Sequence, residues 1–268
     1  LTIPIGGIMN KLALKDRYTS SEIKFLSNAM IIEYDMKRAG LNIIRKYKLL
    51  PDKKINKLLD LNKKTNAANP NYGKRMVDIE IGKLQIDNEK LREGLKAGFI
   101  ESRNLFLTRN NLDETNVLAI KKDAIFVLKQ VDFTEIDEYI NFRPKNAYTG
   151  YLMINRIEMY YHNGELDIKG LGEVDEELHR DTMIKFFIKF FNKSETSSKE
   201  EVLKFLRIFL DRYKRLELKP EFYIPFRSGG LYTYKDGVTT AVDYRNNKKE
   251  YDITYNYKII IDLVKYVL

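Results

Sequence analysis

Asn116-Val117-Leu118-Ala119-Ile120-Lys121-Lys122-Asp123-Ala124-Ile125-Phe126-Val127-Leu128-Lys129 is two short apolar runs broken by three charged residues. Runs of β-branched and aromatic residues on either side of a tight polar break read as a β-hairpin. This hairpin carries a carboxylate, Asp123, at its tip. A related pattern occurs near the start of the chain, where Met30-Ile31-Ile32-Glu33-Tyr34 is a compact apolar strand that stops at Asp35. Phosphoryl transfer by two metal ions needs carboxylates converging on ions about 4 Å apart, and neighbouring strand ends of one sheet can bring two such side chains together. Either Asp alone reads more simply as a strand cap or a turn residue. Glu33 lies two residues before Asp35, so on a strand it shares that face; it is either a third carboxylate or a solvated side chain.

The rest of the chain reads outward from these two strands. Before the first of them, Thr19-Ser20-Ser21-Glu22 has the spacing of a capping box and predicts a helix through Ile23–Ala29. After Asp35 come a helical stretch over Ala39–Leu49, a second helix from Asp52 to about Lys64 opened by Pro51, and a turn at Asn66–Gly73. One long helix or two then run over Lys74–Arg109, where Ile79, Leu84, Leu91, Leu95 and Phe99 recur at helical spacing. Beyond the hairpin, strands are expected at Gly150–Ile154, Arg156–Tyr161 and Glu165–Ile168. Helices follow from Glu176 to Lys193 and from Lys199 to Leu216. The tyrosine-rich remainder, Pro220–Leu268, reads as strands with turns at Ser228-Gly229-Gly230, Asp236-Gly237 and Asn246-Asn247. The fold class is therefore α+β, an antiparallel sheet with helical appendages.

Composition narrows the chemistry. Without cysteine the chain has no disulfide and no thiolate zinc site, and with only His162 and His179 a histidine metal cage or a Ser-His relay is not expected. Hard cations on carboxylates remain. The net charge of +9 attracts phosphate polyanions. No apolar run approaches the roughly 20 residues that span a bilayer, and Leu1–Asn10 lacks the features of a secretion signal, so a cytoplasmic protein with no membrane partner is expected.

The surroundings of the two aspartates resemble family B DNA polymerases. Asp35-Met36-Lys37-Arg38-Ala39-Gly40-Leu41-Asn42-Ile43 is similar to the first motif of that family, an Asp closing a strand before a turn into a helix. Asn69-Pro70-Asn71-Tyr72-Gly73 keeps the Asn, Tyr and Gly of the next motif, with Thr65 where its Lys is expected and Lys63 and Lys64 beside it. Ala119–Val127 keeps the second Asp and the Ile-Phe-Val of the third, with Lys121 in place of the first Asp. Lys169-Gly170-Leu171, then Val174 and Arg180-Asp181, resemble the approach to the thumb. The resemblance covers Ile31 to Asp181. The chain is too short for a complete enzyme of that family, which suggests a reduced, divergent or split phage or viral form, or a fragment starting at Leu1.

The resemblance implies a palm from 1–50 and 111–175, a fingers-like helical insertion over 51–110, and a thumb-like part with C-terminal strands over 176–268. It implies a template-dependent nucleotidyltransferase, a DNA or RNA polymerase, with Mg²⁺ (or Mn²⁺) on Asp35 and Asp123. Lys63, Lys64, Lys74 and Arg75 would meet the triphosphate, Tyr72 the nascent base pair, and Gly40 the sugar, where a side chain would otherwise exclude a 2′-hydroxyl. Lys169, Lys204, Arg207 and Arg212 would hold the nucleic-acid backbone. Partners would be a primer–template, nucleoside triphosphates, and a polymerase or exonuclease chain supplying missing parts, in a bacterial or phage-infected cell. The alternative is a non-catalytic nucleic-acid-binding or replisome-scaffold protein on a degenerate palm, which Lys121 favours.

Overall fold

The computed structural model describes residues 9–64, 69, 71–228 and 253–268, and the backbone of 232–235 and 238–241. The turns expected at Gly229-Gly230, Asp236-Gly237 and Asn246-Asn247, and most of the turn from Asn66 to Pro70, lie outside the described residues. The chain divides into two compact units. Unit 1 is Leu1–Ser20 with Ile31–Ala147, and unit 2 is Ser21–Met30 with Tyr148–Leu268. The fold is α+β with antiparallel pairing, as its element order predicts. Among the described residues no helix is long and apolar enough to cross a membrane.

Unit 1 is built on a five-stranded sheet of order β1-β4-β5-β3-β6. Its strands are β1 (Arg17–Thr19), β3 (Ile31–Met36), β4 (Val117–Lys121), β5 (Ala124–Val127) and β6 (Phe142–Tyr148), the last residue of β6 belonging to unit 2. The hairpin forms where its sequence places it, β4 and β5 pairing antiparallel with Lys121 opposite Ala124. Its strands are nearly continuous apolar runs because both faces are covered: all four residues of β5 are buried. On one face Tyr34, Met36, Ile120, Ile125 and Val127 join a core with α1 (Ala39–Lys46), α2 (Asp52–Asn62), α3 (Tyr72–Ile86) and α4 (Glu89–Arg109). The 74–109 stretch is thus two helices. Its break falls at Asp87-Asn88, where the Asn88 side chain accepts a hydrogen bond from the backbone N–H of Leu91 and caps α4.

Unit 2 holds a second antiparallel sheet of order β2-β7-β8-β9, from β2 (Phe25–Leu26), β7 (Gly150–Ile154), β8 (Ile157–His162) and β9 (Glu165–Lys169). Alternate residues Leu152, Ile154, Ile157, Met159 and Tyr161 pack on the phenylalanine-rich face of α6 (Lys185–Thr196). The helix α5 (Glu173–His179) leads through a π turn at Arg180–Ile184 into α6. A capping box of Ser198 and Glu201 opens α7 (Lys199–Lys214). A further hairpin, β10 (Tyr232–Lys235) with β11 (Val238–Ala241), precedes α8 (Ile253–Val267).

Two expectations are overturned. No helix follows Thr19: the chain there is β1, a bend and β2. The capping signal loses to tertiary pairing, since Thr19 pairs with Ala119 and the Ser20 N–H donates to the Leu118 carbonyl, while Phe25 pairs with Leu152. Within the tyrosine-rich C-terminal stretch strands form at β10 and β11, but Ile253–Val267 is a helix rather than a strand. Its β-branched residues suit either state, but Ile259, Ile260 and Leu263 bury one helical stripe. The fully buried Asn256 holds that stripe in place, accepting from the Phe226 N–H and donating to the carbonyls of Phe222 and Ile224.

Candidate active site

Antiparallel pairing of β3 with β5 sets Asp35 opposite Ala124, and the Met36 N–H donates to the Asp123 carbonyl at 3.0 Å. The two aspartates therefore occupy neighbouring positions at one end of the sheet, both half-buried. Asp123 sits in the two-residue turn of the hairpin, where Lys122 takes the left-handed backbone region at φ 63. That turn is pinned from several directions. Arg103, on α4 and only 1 % exposed, donates through Nη1 to the Lys122 carbonyl at 2.8 Å, through Nε to the Ala13 carbonyl at 2.9 Å and through Nη2 to Asp16 Oδ1 at 2.9 Å. The Lys122 N–H in turn donates to the Asp16 carbonyl at 2.8 Å. A fixed turn holds the Asp123 backbone in one place, as preorganised chemistry requires.

Asp35 and Glu33 share a face of β3, as their spacing predicts, but Glu33 is neither solvated nor a free third ligand. It is 2 % exposed and accepts from Lys145 Nζ at 3.0 Å and Asn146 Nδ2 at 2.6 Å, both on β6. Burial holds the Asp35 carboxyl above the usual carboxylate range. The charge of Asp123 adds to this, and Lys145 and Lys74 pull the other way. Lys121 lies in the same cross-strand row as Asp35, with Ala124 between them, and its Nζ donates to Thr19 Oγ1 at 3.3 Å. Among the described residues there is no cluster of three or more Asp, Glu or His side chains close enough to cage a metal ion.

Beside Asp123 opens a cavity of about 440 Å³, walled by the hairpin tip, the start of α1, and α3 and α4. Its lining is rich in charge: Arg38, Lys74, Arg92, Lys96 and Lys122 against Asp16, Asp78 and Asp123. Gly40 is part of the wall, and a Cβ added there would meet Ile81 Cδ1 at 3.4 Å, an ordinary contact. The cavity thus unites Gly40, Lys74 and Asp123. Lys63, Lys64, Tyr72 and Arg75 stand outside its lining. Lys63 pairs with Asp60 at 3.3 Å, Lys64 lines a shallow surface on α2, Tyr72 is half-buried at the start of α3, and Arg75 is exposed. In unit 2, Lys169 pairs with Asp167 at 2.7 Å, and Lys204, Arg207 and Arg212 project from α7 into solvent.

Sequence reading passed over Arg103, the Lys145–Asn146 clamp, and the cavity residues Arg38, Arg92, Lys96 and Asp78. Only Arg103 left a signal. It stands eight residues after Leu95 and three before Phe106, on the buried stripe of α4 where an arginine is costly unless it has partners.

No curated protein sequence matches the chain. Among solved structures, that of the family B DNA polymerase from the hyperthermophilic archaeon Pyrobaculum calidifontis is similar, with 14 % identity and a TM-score of 0.47 over 91 % of this chain and 46 % of that one. The chain thus spans less than half the length of that polymerase. A family model matches residues 8–268, nearly the whole sequence, and the chain accordingly belongs to the family of the bacteriophage PBS1 gene 130 protein.

Proposed function

We propose that this protein is a template-dependent nucleotidyltransferase with its chemistry at Asp35 and Asp123. The observation that carries the reading is the backbone adjacency of Asp35 and Asp123 at one end of the sheet, with Asp123 lining a cation-rich cavity and Asp35 disfavoured as an anion by burial and by Asp123. The sheet of unit 1 would be the palm, α2 to α4 the fingers-like part, and the helices from about residue 176 the thumb-like part.

The donor set fits Mg²⁺ or Mn²⁺. Both side chains are hard oxygen ligands, and magnesium is commonly held by one or two carboxylates with substrate phosphates completing its shell, so a cage of three protein acids is not required. Asp35 and Asp123 would hold the ions, which would supply activation of a 3′-hydroxyl and charge neutralisation on the triphosphate. The chain's own residues position the reactants. Arg38, Lys74, Arg92, Lys96 and Lys122 offer cations to the phosphates, and Arg103 fixes the turn under Asp123. Gly40 leaves the sugar side of the cavity without a side chain, which allows ribonucleotides as well as deoxyribonucleotides.

Primer extension with Mg²⁺ or Mn²⁺, on DNA and RNA templates and with both nucleotide classes, tests this. Asp35→Asn and Asp123→Asn are each expected to reduce incorporation by about a thousandfold or more while leaving template binding intact, because the acids act on the reacting phosphate and affinity comes from dispersed backbone contacts. Incorporation that survives either substitution refutes the assignment. Lys121, in the same row as Asp35, favours a second reading: a nucleic-acid-binding protein that keeps the fold without the chemistry. Tight primer–template binding with no incorporation under any of these conditions would select it.

A further inference from the structure

Unit 2 contains a second cleft, of about 420 Å³, that the proposed chemistry does not use. It lies between α6 and α7 and is closed at one end by residues 217–222. Its floor is aromatic. Phe186 stacks on Phe209 with ring centroids 4.1 Å apart and on Phe205 at 5.7 Å, and Phe222 meets Phe209 edge-on at 5.5 Å. Phe186 is buried, while Phe205, Phe209 and Phe222 keep part of their surface in solvent. The rim is cationic: Lys185, Lys189, Arg212 and Lys219 against Asp181 and Glu217. The two acids are already engaged, Asp181 by Lys185 and Glu217 by Arg215. Lys189, Arg212 and Lys219 are exposed and stand in no ion pair among the described residues.

We propose that this cleft binds single-stranded nucleic acid, with an unpaired base on the phenylalanine floor and flanking phosphates on Lys189, Arg212 and Lys219. Partly exposed aromatic rings between separated cations are the combination that single-strand binding uses, since every base has a face to stack and every linkage a charge to neutralise. A duplex gains nothing from the floor, because its base faces are already covered by their neighbours. A short acidic peptide would need cations only at the cleft. Here the positive series continues along α6 past it, through Lys185, Lys189 and Lys193 at successive turns of one helix face, as suits a ligand with a repeating charge. The lining residues all belong to unit 2, so the site stands or falls independently of Asp35 and Asp123.

The test is fluorescence anisotropy of the full chain with a labelled oligothymidylate and with a duplex of equal length. The single strand should bind more tightly than the duplex. Phe209→Leu, which keeps an apolar side chain and removes the ring, should weaken single-strand binding by about tenfold and leave duplex binding unchanged. The pair Lys189→Glu with Arg212→Glu, at exposed positions that do not threaten folding, should weaken it at least as much. Circular dichroism melting establishes that each variant is folded. If Phe209→Leu does not fold, the charge-reversed pair decides alone. Single-strand affinity unchanged by the charge reversal, a preference for the duplex, or capture of an acidic aromatic peptide in place of the oligonucleotide would overturn the proposal. Loss of primer extension by itself would not touch it.

Discussion

Arg103 shows how one residue organises the candidate site. Its side chain is buried, and its three hydrogen bonds fix the Ala13 carbonyl, the Lys122 carbonyl and Asp16 at once. Burial lowers the pKa of its guanidinium below the ordinary value, and the Asp16 carboxylate opposes that. Arg103→Met should lower stability by about 3 kcal/mol, because it leaves one buried and one partly buried carbonyl without this donor. Arg103→Lys should lie between, since an ammonium cannot reproduce the planar fork. Urea denaturation of both variants checks this, and a Met variant as stable as the parent would mean that water or neighbours replace the fork. His179 offers a second measurement. It is 1 % exposed against Phe226, and burial pushes its imidazole down to about 4. A depressed histidine binds its proton more readily unfolded than folded. Its contribution is therefore present above the ordinary value near 6.5 and lost as pH falls from there towards 4. The loss should reach roughly 3 kcal/mol at the acid end, and His179→Gln should flatten that part of the stability–pH curve.

Among the elements, α3 is seated on the end of α2 by a glycine. A Cβ at Gly73 would come within 2.6 Å of the carbonyl oxygens of Asn62 and Lys64 and 2.9 Å of that of Leu61. The Asn-x-Asn-Tyr-Gly pattern therefore has a packing reason for its glycine as well as any motif meaning. Gly82, in the middle of the same helix, has nothing within 4 Å of its would-be Cβ. Substitution to alanine should have opposite signs at the two positions. Gly82→Ala should stabilise by about 1 kcal/mol through helix propensity, and Gly73→Ala should destabilise by about 1–3 kcal/mol because backbone must move. Thermal melts of the two variants decide it, and a Gly73→Ala protein more stable than the parent would contradict the close approach.

For the whole molecule, the excess of nine positive charges sets an expectation that no single contact carries. If nucleic acid is the partner, the logarithm of affinity should fall linearly with the logarithm of salt concentration. Lys204→Glu and Arg207→Glu, on the solvent face of α7, should weaken binding to all sequences alike, each by roughly threefold to tenfold at moderate salt, and should reduce the slope. A titration across salt concentrations measures both effects. Affinity that ignores salt would turn attention to a protein partner for this surface.

The hairpin at 116–129 and the strand that carries Asp35 were legible because apolar runs and a charged tip are local signals, and the α+β class follows from their order. The helices α1, α2, α4, α6 and α7 were legible for the same reason: cap, period and breaker lie within a few residues of one another. Sequence alone also named Asp35, Asp123, Gly40 and Lys74, four residues that the fold gathers around one end of one sheet. Other features depended on contacts distant in sequence. Thr19–Ala29 left the helical state because Leu118 and Leu152 supply strand partners about a hundred residues away. The tail became a helix because Asn256 and its stripe found a buried seat. Glu33 became a buried ion-pair partner because β6 brought Lys145 and Asn146 to it. Periodicity reports which face of a segment is apolar, but the identity of what covers that face, and so the charge and reach of every side chain on it, is fixed only when distant strands and helices pack.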